Sequence, residues 1–240
     1  MSERFYSSRP ITNDRATLDG PDAHHLLHVM RASVGDSVVL FDGSGAEFDA
    51  TVETLGRSHV DLRVTARHEV DRELPRPLVV GVAIPKGDRQ KWLVEKLTEF
   101  GVTTLVPLLT ERSVAQPTTA ALDRLRRSVI EAAKQCGRNR LMQINEPQSW
   151  HDWISPPPLA GELRSPEMLR LIAHPTGKRL HSFENTAQQS IQLTIGPEGG
   201  FTETEVAAAE AAGWQIVNLG PRIMRVETAA IAMSALFALR

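Results

Sequence analysis

Leu78-Val-Val-Gly-Val-Ala-Ile84 is apolar at every position, and the fold turns on this stretch. A strand with no polar face is covered on both sides, as in a parallel sheet flanked by helices. The residues that follow agree. Asp88 to Phe100 sets Leu93, Leu97 and Phe100 at helical spacing, and Gly101 is placed to end the helix. Thr104 to Leu109 reads as a second strand, Ala120 to Gln135 as a helix closed by Gly137, and Arg140 to Asn145 as a further strand. Leu169 to Ala173, Gln192 to Ile195 and Trp214 to Leu219 read as three more. Thr202 to Ala212 is a helix, with Thr202 and Glu205 as its capping box and Gly213 at its far end. Val226 to Leu239 is an apolar, Ala-rich helix suited to an interior or a subunit interface. The alternation predicts an α/β fold with a mostly parallel sheet. Ser155 to Pro166 is a Pro-rich loop or insertion.

Upstream the pattern changes. Arg72 to Pro77, with two prolines and mixed charge, reads as a boundary between a domain of residues 1–73 and one of 74–240. Before it, Ser37-Val-Val-Leu-Phe41, Glu47 to Glu53 and Val60 to Val64 are β-rich, with Asp42-Gly-Ser-Gly45 as a turn. Short strands joined by Gly-containing turns predict a small β-barrel. Asp22 to Arg31 reads as a short helix with Leu26, Leu27 and Met30 on one face.

Composition narrows the classes. Over 240 residues, 27 Lys and Arg face 29 Asp and Glu, a net charge of −2, which excludes a bulk polycation. Hydrophobic residues at 41% and charged residues at 23% exclude disorder along the whole chain. One Cys excludes an intramolecular disulfide framework and a Cys-rich zinc module. No run approaches ~18 apolar residues, so no membrane span is expected. The start, Met1-Ser-Glu-Arg-Phe5, lacks a signal peptide's apolar stretch, and a cytoplasmic location is expected.

Several segments could carry chemistry. Ile195-Gly-Pro-Glu-Gly-Gly200 joins a strand to a capped helix, at the sheet edge where such folds bind ligands; the alternative is an ordinary tight turn. It matches neither a dinucleotide fingerprint nor a P-loop. Leu219-Gly-Pro-Arg-Ile-Met-Arg-Val-Glu-Thr-Ala229 also runs from strand to helix. Its Arg222 and Arg225 can present forked donors, while Glu227 also suits a plain helix start. His174, after a third strand, could complete a pocket or be structural. Arg124 to Arg140 holds six cations and one acid, Glu131, as either a phosphate-contacting surface or a solvated helix end. His24 and His28 have metal-ligand spacing, but no third ligand is evident, and no metal is expected.

The two glycine-containing loops resemble the last two signature segments of SPOUT-class RNA methyltransferases. Arg4-Phe5, His25-Leu-Leu-His-Val-Met-Arg31, Lys86-Gly-Asp-Arg89, Glu95-Lys-Leu-Thr-Glu-Phe-Gly101, Glu111-Arg112-Ser113 and Glu131-Ala-Ala-Lys-Gln-Cys-Gly-Arg-Asn139 narrow the resemblance to the RsmE family. It runs collinearly from about Arg4 to the C-terminus. Met224 stands where the family often has Leu, and Phe100 replaces the usual Leu before Gly101.

The resemblance implies a PUA-like β-barrel, then a SPOUT α/β domain with a deep trefoil knot, in a homodimer. It implies methylation of N3 of one uridine in 16S ribosomal RNA of the small subunit, with S-adenosyl-L-methionine as cofactor. The cofactor would lie against His174, Gly196, Pro197, Glu198, Gly199, Gly200, Leu219, Gly220, Arg222, Ile223 and Met224. Arg222 and Arg225 are the expected catalytic donors, with Glu198 or Glu227 as positioning group or base. Arg4, Arg31, Lys86, Arg89, Arg112, Lys134, Arg138 and Arg140 are the expected RNA contacts. The competing readings are a ribose 2′-O-methyltransferase, a non-catalytic ribosome-assembly factor and a nucleotide-binding α/β protein.

Overall fold

The computed structural model describes residues 3–114, 116–155, 168–179 and 190–239, and the chain divides into two units. The first is Met1–Glu73 with Ile130–Leu141; the second is Leu74–Val129 with Met142–Arg240. Most of the Pro-rich Ser155 to Pro166 segment lies outside the described residues.

In the first unit, β1 (Arg4–Tyr6), β2 (Arg15–Leu18), β3 (Ser37–Phe41), β4 (Ala46–Leu55) and β5 (Val60–Glu69) form one sheet in the order β1-β3-β4-β5-β2. Only the β1–β3 pair is parallel. Alternation decides which face is buried: Ala46, Phe48, Ala50 and Val52 point inward from β4, joined by Val60 and Leu62 from β5. Burying each Leu or Phe there contributes roughly 1.5–3 kcal/mol. The strands Arg4–Tyr6 and Arg15–Leu18 were not expected, being too short to show a period.

The helix expected over 22–31 is shifted and changes type. α1 (Gly20–His24) passes into a π-helical turn, His25–Val29, closed by Met30 N donating to His25 O at 3.0 Å. The wider turn rotates the face: Leu26 is buried, whereas Met30 is 36% exposed. Arg31 follows with φ of 54°, a left-handed conformation unusual for a side chain of its size.

The second unit holds β6 (Leu78–Val82), α2 (Arg89–Glu99), β7 (Thr104–Leu109), α3 (Thr119–Cys136), β8 (Gln143–Ile144), β9 (Gln148–Ser149), α4 (Trp150–Ile154), β10 (Leu169–Arg179), β11 (Ile191–Ile195), α5 (Glu203–Ala211), β12 (Gln215–Asn218) and α6 (Val226–Ala238). The last turns of α3 group with the first unit. The sheet order is β12-β10-β11-β6-β7-β8, every pair parallel, with β9 beside β7. All these strands therefore open their carboxyl ends on one edge, where α/β folds bind ligands. Leu93, Val94 and Leu97 of α2 and Ala229, Ala230 and Met233 of α6 are buried. Trp150 and Trp153 of α4 pack with Phe201 and Trp214. Trp153 explains the glycine inside β6, because a Cβ on Gly81 would lie 2.4 Å from its ring. Its Nε1 donates to Thr194 Oγ1 at 2.7 Å, which satisfies two buried polar groups at once.

Candidate active site

Three adjacent strands, β10, β11 and β12, end at one cleft of about 550 Å³. The β10 side is irregular. Val217 faces both Ala173 and Lys178, so the residues between them bulge out of the ladder. His174 was expected just past the strand; it stands instead within β10, at the start of that bulge. Its Nδ1 lies 2.8 Å from Thr176 Oγ1, and burial pushes the imidazole pKa down, favouring the neutral ring.

The β11 loop begins at Gly196, where a Cβ would come within 2.8 Å of the Phe201 ring. Gly200 takes φ of 69° and donates to Pro197 O at 2.8 Å, closing a turn. The capping box forms as read: Glu205 N donates to Thr202 Oγ1 at 3.2 Å, and Thr202 N to Glu205 Oε2 at 2.9 Å. Glu205 has a further role that its spacing does not show. Its Oε1 accepts from Glu111 N at 2.8 Å, tying the start of α5 to the loop after β7. From that loop Arg112 donates to Gly199 O at 2.8 Å.

The β12 loop is set by Asn218, which the sequence reading passed over. Its side chain donates to Pro175 O and accepts from Gly220 N at 2.7 Å, bridging the first and third loops. An Asn two residues before a glycine is the available signal for such a turn. Arg222 and Arg225 are exposed on the cleft, and neither has a carboxylate partner among the described residues.

All eleven residues expected at a cofactor line this cleft: His174, the run from Gly196 to Gly200, Leu219, Gly220, Arg222, Ile223 and Met224. Of the expected catalytic four, Arg222, Arg225 and Glu198 line it and Glu227 does not. Glu227 is 4% exposed at the start of α6, 3.6 Å from Arg89, and one carboxylate oxygen has no hydrogen-bond partner among the described residues. Glu227, expected as a positioning group or base, is thus buried outside the lining of the cleft. Arg89 also pairs with Glu198 at 3.2 Å.

The RNA methyltransferase domain family matches residues 72–238, and the RNA methyltransferase PUA domain family matches residues 18–65. The ribosomal RNA small subunit methyltransferase E of a Synechocystis species is 34% identical over 91% of this chain and 71% of its own. The chain belongs to this methyltransferase E family. Two solved structures agree. That of ribosomal RNA small subunit methyltransferase E from Neisseria gonorrhoeae, bound to S-adenosylmethionine, is 29% identical with a TM-score of 0.86 over 100% of this chain and 98% of that one. A Legionella pneumophila protein solved with bound cofactor SAM is 28% identical with a TM-score of 0.89, again over 100% and 98%.

The cations expected on RNA divide by exposure. Arg31, Lys86, Arg112 and Arg140 are exposed and Arg89 is half-exposed. Three others are more buried and are each held by acids of the chain. Arg138 is 4% exposed and forks onto Glu73. Arg4 binds Glu47 and donates to Asn139 Oδ1 at 2.6 Å. Lys134 is 2.8 Å from both Asp22 and Glu131; burial opposes its charge, but the two carboxylates outweigh that and raise its pKa. These ion pairs leave Arg4, Lys134 and Arg138 less accessible to phosphate than the exposed cations. The rings of His24 and His28 lie 4.7 Å apart, and among the described residues no group of three metal-ligating side chains occurs.

Proposed function

We propose that the protein transfers the methyl group of S-adenosylmethionine to N3 of one uridine in 16S ribosomal RNA. The carrying observation is the cleft built from three strand-end loops, which suits this cofactor. It is rich in glycine backbone, offers Ile223 and Met224 as apolar surface, and has Glu198 as its one acid among the lining residues. When bound, S-adenosylmethionine supplies an electrophilic methyl on a sulfonium. A neutral His174 adds no positive charge beside that cation. Attack by N3 on that methyl would release the sulfur as a neutral thioether, and the Glu198 carboxylate on the cleft would take the N3 proton. Negative charge spreads to the uracil O2 and O4, where Arg222 and Arg225 donate hydrogen bonds that strengthen toward the transition state. The base must leave its stack to reach them.

The finer architecture belongs to the same reading. Residues 1–73 act as a PUA-like barrel for RNA, supported by the five-stranded sheet. Residues 74–240 carry catalysis and a trefoil knot, supported by β11 seating between β10 and β6. A homodimer is supported by apolar side chains left exposed on α2 and α6, Trp92 and Leu236. The setting is the cytoplasm, and no metal takes part. Arg31, Lys86, Arg89, Arg112 and Arg140 hold RNA by its phosphates.

Mass spectrometry of small-subunit RNA from cells with and without the protein tests the assignment. The 3-methyluridine should vanish without it, return with the wild type, and stay absent with Arg222→Ala/Arg225→Ala. RNA that keeps its full complement of 3-methyluridine in the protein's absence contradicts it.

A further inference from the structure

The β12 loop supplies Leu219, Gly220, Arg222, Ile223 and Met224 to the cofactor cleft, yet its strand has few ties to the sheet. β12 is four residues long, stands at the sheet edge, and among the described residues pairs with β10 alone. The bulge interrupts even that ladder: Ala173 pairs Val217, and pairing resumes only at Lys178, opposite the same residue. The bulged backbone lies hard against β12, since a Cβ on Gly177 would come within 2.5 Å of Val217 N. Within it Pro175 has no N–H to donate, which leaves its carbonyl as its backbone tie.

Asn218 makes that tie. Its side-chain amide donates to Pro175 O, while its Oδ1 accepts from Gly220 N at 2.7 Å. One partner is an acceptor and the other a donor, so both are satisfied by an amide side chain in a single orientation. An Asx turn needs only the Gly220 bond. The bond to Pro175, 43 residues away in sequence, goes beyond it. We propose that Asn218 is a positioning residue for cofactor binding: it holds the β10 bulge and the β12 loop at one separation, so that S-adenosylmethionine enters a cleft already formed. A loop left free would have to be ordered on binding, which weakens affinity. This assignment deepens the methyl-transfer reading and rests on it.

Two variants separate the bridge from the local turn. Asn218→Asp keeps the acceptor for Gly220 N and loses the donor to Pro175 O; Asn218→Ala loses both. Hydrogen exchange should find the Gly220 amide protected in the first and open in the second. Affinity is read by calorimetry with S-adenosylhomocysteine, the thioether left after methyl transfer, whose neutral sulfur does not draw the added carboxylate. Binding should weaken about fivefold in Asn218→Asp and about tenfold in Asn218→Ala, the scale of one or two neutral hydrogen bonds. With unmethylated small-subunit RNA, Asn218→Ala should raise KM for S-adenosylmethionine in step, while kcat at saturating cofactor changes less than about twofold. If Asn218→Asp binds as the wild type does, Asn218 shapes only its own turn and the proposal fails. If kcat drops in Asn218→Ala while affinity holds, the residue serves the reacting groups rather than the cleft, and the assignment is again overturned. A wild-type protein that binds neither S-adenosylmethionine nor S-adenosylhomocysteine, or methylates no RNA, overturns the methyl-transfer reading itself.

Discussion

Arg89 divides its guanidinium between two carboxylates of unlike setting, Glu198 on the cleft and the buried Glu227 in the first turn of α6. Nothing in the spacing of Arg89, Glu198 and Glu227 shows the link, since 109 residues separate the first pair. By contrast, both glycine loops could be read directly, because a strand-to-helix turn that needs glycine signals itself locally. His174 yields a pH prediction. Burial lowers its pKa, so the ring stays neutral to a lower pH than the ordinary 6.5, and protonation below that point places a cation beside the sulfonium. Calorimetry should find S-adenosylmethionine affinity level from about pH 8 to 6.5 and weaker as pH falls further. His174→Asn should abolish the acid-side decline; a decline that persists in this variant assigns it to another group.

At the scale of elements, runs that bury whole faces were the legible ones. β6, β7 and β11 stand close to their expected bounds because continuous apolar sequence leaves few alternatives. α4 was missed, its five residues being too few for a helical period, and β10 runs on through Pro175 and Gly177, which look like breakers. The Thr202–Glu205 capping box of α5 was read correctly because its residue types and spacing suffice. Thr202→Ala removes one cap and should cost about 1 kcal/mol. Glu205→Ala also leaves the amides of Thr202 and Glu111 without their acceptor, and should cost about 2–3 kcal/mol. Denaturant unfolding compares them; equal losses would show that the Glu111 bond contributes nothing.

For the whole molecule, charge was legible in amount and misleading in place. The cation-rich segment from Arg124 to Arg140 suggested one basic face. Yet Arg126, Lys134 and Arg138 are paired with acids far away in sequence, Glu146, Asp22 and Glu73. Sequence counts charges along the chain, whereas a phosphate meets only those left over after folding. The salt dependence of RNA binding should therefore separate neighbours. Arg140→Gln should reduce the slope of log affinity against log salt by about one, and Arg138→Gln should leave it unchanged while lowering stability. Equal slopes for the two variants would refute the distinction.

Glu205 holds the amide of Glu111 with one oxygen and the amide of Thr202 with the other. Two loops distant in sequence thus hang on a single carboxylate. Should that side chain swing away, both amides lose their acceptor in the same instant, and solvent deuterium would reach them at a common rate. The floor under the glycine loop then behaves as one hinged plate rather than as two separate strands of loop.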